Sequence, residues 1–182
     1  MAPGPYFLYN CLTMDLYIIR HAIAQQLDKK NDFMDEKRAL TNEGRERMHE
    51  VVKGLLKLGV ELDLILTSPL VRAVETADIV ATTFGLSKKD IELTDNLKPG
   101  ASCDGLFTEI KKRAGVESLA LIGHQPDLGF IVSRIVQGNG NLSIMLKKGS
   151  VCSINVIETV PTLHGNLVWL LTPKQLRLLA KQ

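Results

Sequence analysis

Apolar residues follow two alternating rhythms along this chain. Short, nearly continuous apolar runs at Leu16 to Ile19, Leu62 to Leu66, Ile91 to Leu93 and Ser118 to Ile122 read as strands buried on both faces. Between them the spacing turns helical. Met48, Val51, Val52, Leu55, Leu56 and Leu58 follow a helix that Thr41 caps, Glu43 favours in its first turn and Gly59 ends. Ser68 and Pro69 take the cap and first-turn positions of a second helix, packing through Leu70, Ala73, Ala77, Val80, Ala81 and Phe84. A third helix spans about Asp104 to Ala114 after a loop from Asn96 to Cys103, and Pro126 opens a fourth through Leu128, Ile131, Val132, Ile135 and Val136. Gly138 to Asn141 is a loop, and Val151 to Val160 and Leu167 to Leu171 form late strands joined by a turn at His164-Gly165-Asn166. Pro173 to Ala180 closes the chain as a helix, while Gln25 to Leu40, with its charged run Asp28 to Arg38, is polar and irregular.

Strands alternating with helices predict an α/β three-layer sandwich, with a mainly parallel sheet and an antiparallel edge. The 182 residues suit one domain, expected over 14–182; residues 1–13 are read as an extension from an upstream start, with neither a signal peptide nor a membrane anchor. Apolar residues are 45 % and charged residues 23 %, with a net charge of +2 and both signs interspersed. That pattern favours neither a nucleic-acid stripe nor a membrane-binding face. Cys11, Cys103 and Cys152 are odd in number and far apart, which points to reduced thiols in a cytoplasmic protein.

Three of the buried runs end in chemistry. The first stops at Arg20-His21, the second at Ser68-Pro69-Leu70-Val71-Arg72 and the fourth at Gly123-His124. Open α/β sheets place their sites beyond the carboxyl ends of their strands, so these residues converge on one edge. Arg72 sits near a helix start, where a side chain leaning toward the N-terminus reaches past it and where free N–H groups favour an anion. Arginine's fork matches phosphate oxygens in pairs, and neutral imidazole is a nucleophile toward phosphorus. No carboxylate pair or His/Cys/Asp cluster has metal-ligand spacing, in keeping with a site that needs neither metal nor cofactor. Taken singly, each piece also has a structural reading: an Arg-His pair at a strand end, a Ser-Pro helix start, a capping histidine.

Together, in this order and spacing, the residues resemble the histidine phosphatase superfamily, the phosphoglycerate mutase-like family. Arg20-His21-Ala22 stands for its Arg-His-Gly, Ser68-Pro69-Leu70-Val71-Arg72-Ala73-Val74-Glu75-Thr76-Ala77 for its second element and Gly123-His124 for its third. Only about twenty-four residues separate Leu93 from Glu117, where larger members insert a lid with a proton-donating glutamate. With Arg38-Ala39-Leu40-Thr41-x-x-Gly44, Gln125-Pro126-Asp127-Leu128, Lys148-Gly149-Ser150 and Trp169-x-Leu171-x-Pro173, this is most similar to the small SixA-type phosphohistidine phosphatases.

The resemblance implies His21 as nucleophile, with Arg20, Arg72 and His124 binding the phosphoryl group. Asp104 and Glu109 are weak candidates for a general acid, which matters less for phosphohistidine because a protonated imidazole leaves readily. His49 and His164 are read as non-catalytic, Lys147 and Lys148 as surface, Glu75 as orienting an arginine, and Thr76 and Ala77 as packed within their helix. The expected activity is metal-independent removal of phosphate from a phosphorylated histidine-containing protein, with a rate that falls in acid as His21 protonates. Alternatives are a phosphatase of a small phosphorylated substrate and a non-catalytic phospho-ligand-binding module.

Overall fold

The computed structural model describes residues 14–26, 35–113, 115–158 and 162–182. Expectations for residues 1–13 with Cys11, for the charged run through residue 34, for Ala114 and for the strand end at Val160 lie outside them. The described residues form a six-stranded sheet in the order β3-β2-β4-β1-β5-β6. Its strands are β1 (Met14–Arg20), β2 (Leu64–Thr67), β3 (Ile91–Leu93), β4 (Ser118–Gly123), β5 (Val151–Glu158) and β6 (His164–Leu171). The β3, β2, β4 and β1 strands run parallel; β5 is antiparallel to β1, and β6 to β5. Among the described residues five helices cover the faces: α1 (Asn42–Lys57), α2 (Val71–Phe84), α3 (Cys103–Lys111), α4 (Asp127–Gln137) and α5 (Pro173–Leu179). The fold is an α/β sandwich with a parallel centre and an antiparallel edge.

Strand periodicity divides the core in two. On β1, Tyr17 and Ile19 join Ala120 and Ile122 of β4 against α1, α2 and α5; Leu16 and Ile18 join Leu119 and Leu121 against α3 and α4. Both faces are covered, so the runs are continuous rather than alternating. Each of the leucines and isoleucines contributes roughly 1.5–3 kcal/mol by leaving water.

Some boundaries differ from expectation. Leu56 and Leu58 are 44 % and 42 % exposed, because α1 ends at Lys57 and their side of its last turn faces solvent. The helix α2 starts at Val71 with Leu70 as cap, so Ser68 and Pro69 precede it. His164, Gly165 and Asn166 are not a turn: they pair with Glu158, Val156 and Asn155. Two register shifts along β5 carry the ladder that far, and a Cβ on Gly165 would meet the Asn155 carbonyl at 2.7 Å, so only glycine fits there. The first turn of α3 begins one residue early, at Cys103, since Ser102 supplies the capping oxygen. Cys103 and Cys152 are buried free thiols. Among the described residues no helix is long and apolar enough to cross a membrane.

Candidate active site

The parallel centre delivers its strand ends to one edge. In the β1–β4 pair Arg20 lies opposite Gly123, and the His21 N–H donates to the Gly123 carbonyl at 3.1 Å, so His21 and His124 leave the sheet side by side. Their ring centroids are 5.1 Å apart, and the residues are only 5 % and 4 % exposed. Ser68 continues β2, its N–H bound to the Ile122 carbonyl at 2.9 Å. All four expected residues, Arg20, His21, Arg72 and His124, are therefore brought to one edge.

The histidines are tethered by opposite nitrogens. His21 Nδ1 lies 2.7 Å from the Ala22 carbonyl oxygen, which can only accept, so Nδ1 carries the proton and Nε2 keeps its lone pair. His124 Nε2 lies 2.9 Å from Ser68 Oγ, and its buried Nδ1 has no hydrogen-bond partner among the described residues. Burial, first, lowers the His21 pKa to about 3, helped by His124, Arg72 and Arg20 and opposed by the bond to Ala22. Burial and then Arg72 lower His124 to about 4. His21 is therefore neutral through the mildly acidic range, where an ordinary histidine would be protonated.

The segment after His21 is clamped from both sides. The Ala22 N–H donates to Thr76 Oγ1 at 3.1 Å, and that hydroxyl donates to the Arg72 carbonyl at 2.7 Å. Thr76 thus does more than pack: it fixes the backbone beside His21. From the other side Gly149, at φ +77°, donates to the Arg20 and His21 carbonyls at 3.0 and 3.2 Å. Gly44 lets α1 approach closely, since a Cβ there would sit 2.1 Å from the Ile23 carbonyl oxygen. Arg20 Nη1 donates to the Leu146 carbonyl at 2.7 Å, and Gln125 braces that strand-like loop by bonding Ile144 and Leu146.

Arg72, the second residue of α2, is 3 % exposed and held by Asp35. Asp35 also pairs with Arg38. Sequence reasoning gave neither Asp35 nor Arg38 a place in the site, although an Asp-x-x-Arg spacing just before Ala39-Leu40-Thr41 is a visible signal. Lys148 belongs to the same cationic group: burial, then Arg20, Arg38 and Arg72, lower its pKa. Glu75 does orient an arginine, Arg45, and its other oxygen accepts the Leu40 N–H at 2.6 Å.

The two weak acid candidates are engaged elsewhere. Asp104 pairs with Arg134 beside Phe107 and His164, and Glu109 Oε1 accepts from Thr94 and Asn96 at 2.9 and 2.6 Å. His49 is exposed. Among the described residues no group of three His, Cys, Asp or Glu could hold a metal ion. The cluster that remains offers a lone pair on a neutral imidazole beside the buried Arg72, the half-buried Arg20 and the N–H donors of the strand ends. Such an arrangement can bind a phosphoryl group and attack its phosphorus.

Comparison with known proteins agrees with that chemistry. The family model described as Histidine phosphatase superfamily (branch 1) matches residues 16–130. An uncharacterised protein of Picosynechococcus is 34 % identical over 144 residues, 78 % of this chain and 84 % of that protein. Phosphohistidine phosphatase SixA of Escherichia coli is 25 % identical over 167 residues, 91 % of this chain and 98 % of its own length. A solved structure of the protein histidine phosphatase SixA complexed with tungstate superposes with a TM-score of 0.78 at 24 % identity, covering 90 % of this chain and 99 % of that one. The chain belongs to the histidine phosphatase superfamily, branch 1, as a small SixA-like member.

Proposed function

We propose that this enzyme is a metal-independent phosphatase that forms a phosphohistidine on His21 and acts on phosphohistidine in a partner protein. One observation carries the reading: His21 Nδ1 is tied to the Ala22 carbonyl, which leaves Nε2 free and neutral beside Arg20, Arg72 and His124. In the first step Nε2 attacks phosphorus, the substrate P–N bond breaks, and its electron pair leaves on the already protonated partner imidazole. In the second, water attacks phosphorus, the bond to Nε2 breaks and inorganic phosphate departs. Arg20, Arg72 and His124 Nδ1–H face the equatorial oxygens and stabilise the charge in both steps. Arg20, Arg38, Arg72 and Lys148 already supply the positive field that a metal would otherwise bring, and they repel a second cation.

Two features favour a protein substrate. The connection between β3 and β4 holds only a 3₁₀ turn and the nine-residue α3, with no further element to form an enclosing lid among the described residues. A basic cleft lined by Ala22, Met48, Pro173, Arg47, Lys148, Lys174 and Arg177 lies next to the strand end that carries His21, a surface suited to an acidic protein partner. The relative from Escherichia coli is named for phosphohistidine. Buried free Cys103 and Cys152 suit a cytoplasmic setting.

The test compares kcat/KM on a phosphorylated histidine-containing domain with a panel of phosphorylated metabolites, with and without chelator. The expected result is a preference for the domain of about 10²-fold or more, within the range a specific site achieves, unchanged by chelator. A metabolite preferred over the domain, or loss of rate on chelation, overturns the reading.

A further inference from the structure

Arg72 is the most buried cation of the cluster. Nη1 donates to the Asp35 carbonyl oxygen at 2.7 Å, and Nη2 to Asp35 Oδ2 at 3.0 Å. A guanidinium is a flat fork with two edges that suit an anion: a tip made by Nη1 and Nη2, and a side made by Nε–H and the second hydrogen of Nη2. Asp35 occupies the tip. The side edge remains, and its Nε is buried without a hydrogen-bond partner among the described residues. A buried donor left unpaired costs about 1–3 kcal/mol, so this edge is built for an acceptor that arrives with substrate.

Asp35 is itself fixed. Its Oδ1 accepts from Arg38 Nε at 2.7 Å, and Arg38 Nη1 donates to the Gln25 carbonyl at 2.9 Å. The next residue, Glu36, accepts the Val71 N–H at 3.0 Å, which seats this turn on the start of α2. Burial alone would raise the Asp35 carboxyl, but Arg38 and Arg72 hold it below its ordinary range, so it is a carboxylate when substrate binds.

We infer that Asp35 is a positioning residue: by gripping the tip of Arg72 with carboxylate and carbonyl, it turns the Nε–Nη2 edge toward the phosphoryl group and holds it there. The carboxylate occupies an edge that the phosphoryl group does not use, so it orients without competing. This inference rests on reading the cluster as a phosphoryl site.

Tungstate binding by calorimetry and hydrolysis of an aryl phosphate test it separately. Asp35→Ala should weaken tungstate about tenfold, the size of one lost charge-assisted alignment, and lower kcat/KM by at least as much. Asp35→Asn should recover part of both, because its amide oxygen can still accept from Nη2 while its amide nitrogen loses the bond from Arg38. In an Arg72→Lys background, Asp35→Ala should change little, since an ammonium has no edge to aim. Asp35→Ser replaces the alanine variant if that one does not fold. Tungstate bound equally or more tightly by Asp35→Ala makes Asp35 a bystander or a competitor. An Asn variant as poor as Ala makes it a charge alone, and an undiminished penalty in the Arg72→Lys background means it does not act through Arg72; each overturns the inference. If the wild type binds tungstate and Asp35→Ala weakens it, yet nothing is hydrolysed, the phosphatase reading fails and the positioning role stands. If the wild type turns over and Asp35→Ala matches it, the reverse holds.

Discussion

The ends of β1 and β4 are alike in sequence and opposite in wiring. Each is a buried apolar strand that stops at a histidine, and the two leave the sheet as direct neighbours. Yet His21 is tied at Nδ1 by a carbonyl in its own backbone, whereas His124 is tied at Nε2 by the Ser68 hydroxyl from the next strand. The first tether forces a lone pair outward. The second leaves Nδ1 unpaired among the described residues, and when Ser68 donates to Nε2, Nδ1 carries the N–H. On the proposed reading two identical side chains thereby serve as nucleophile and donor, and the difference lies in which nitrogen the fold holds. Burial makes the assignment durable, since it keeps both rings neutral.

If the two ends are this unequal, removing each ring must have a different consequence. His21→Ala should lower turnover by about 10⁴-fold or more, the scale seen when a nucleophile is deleted, and should abolish the acid-labile phosphoenzyme. Retained phosphoenzyme, measured by quench with labelled substrate, would place the nucleophile elsewhere. His124→Ala should cost about 10²–10³-fold, the scale of one lost transition-state donor, while phosphoenzyme still accumulates slowly. Equal losses without phosphoenzyme in either variant would erase the distinction.

The strand ends were legible because doubly covered strands write continuous apolar runs, and a polar residue breaking such a run stands out. Arg20, His21 and His124 stand out that way, and Arg72 by its place just past the end of another such run. Asp35 and Arg38 were not, because they lie in a polar stretch with no period, and their importance comes from a turn folding back onto α2. Thr76 sits at a helical packing position, and nothing in the chain's spacing shows that its hydroxyl faces the Ala22 N–H across the layer. The same limit hid Ser68: a Ser-Pro pair before a helix signals a cap, and only the neighbouring strand end reveals the histidine it serves. His164 to Asn166 reads as a turn because Gly and Asn favour turns, yet the bulged partner strand admits glycine in the ladder.

Acid stability sharpens the comparison next. Both rings have folded pKa values below the unfolded 6.5, about 3 for His21 and about 4 for His124. Between those limits the unfolded chain binds the protons and the folded chain does not, so stability falls as pH drops below 6.5. Each such histidine contributes up to about 1.4 kcal/mol per pH unit. His124→Asn should therefore flatten the decline in urea midpoint between roughly pH 6 and 5 by one proton's worth relative to wild type. An identical slope would mean that His124 titrates as it does in water.

The smallest effect probes the wiring itself. Ser68 Oγ bonds His124 Nε2 at 2.9 Å and also takes the Leu70 N–H at 3.4 Å, so with that oxygen accepting from the backbone its own hydrogen is free to point at the ring. Ser68→Ala leaves the ring in place and removes what fixes its tautomer. The ring then populates the form with its proton on Nε2, which presents a lone pair instead of a donor to the phosphoryl oxygens. One neutral hydrogen bond is worth about 0.5–1.5 kcal/mol, so kcat should fall only about threefold to tenfold, with KM little changed. A loss as large as that of His124→Ala would mean that Ser68 itself touches the phosphoryl group. No loss at all would mean that the donor form of His124 is selected by the bound anion and not by the strand end.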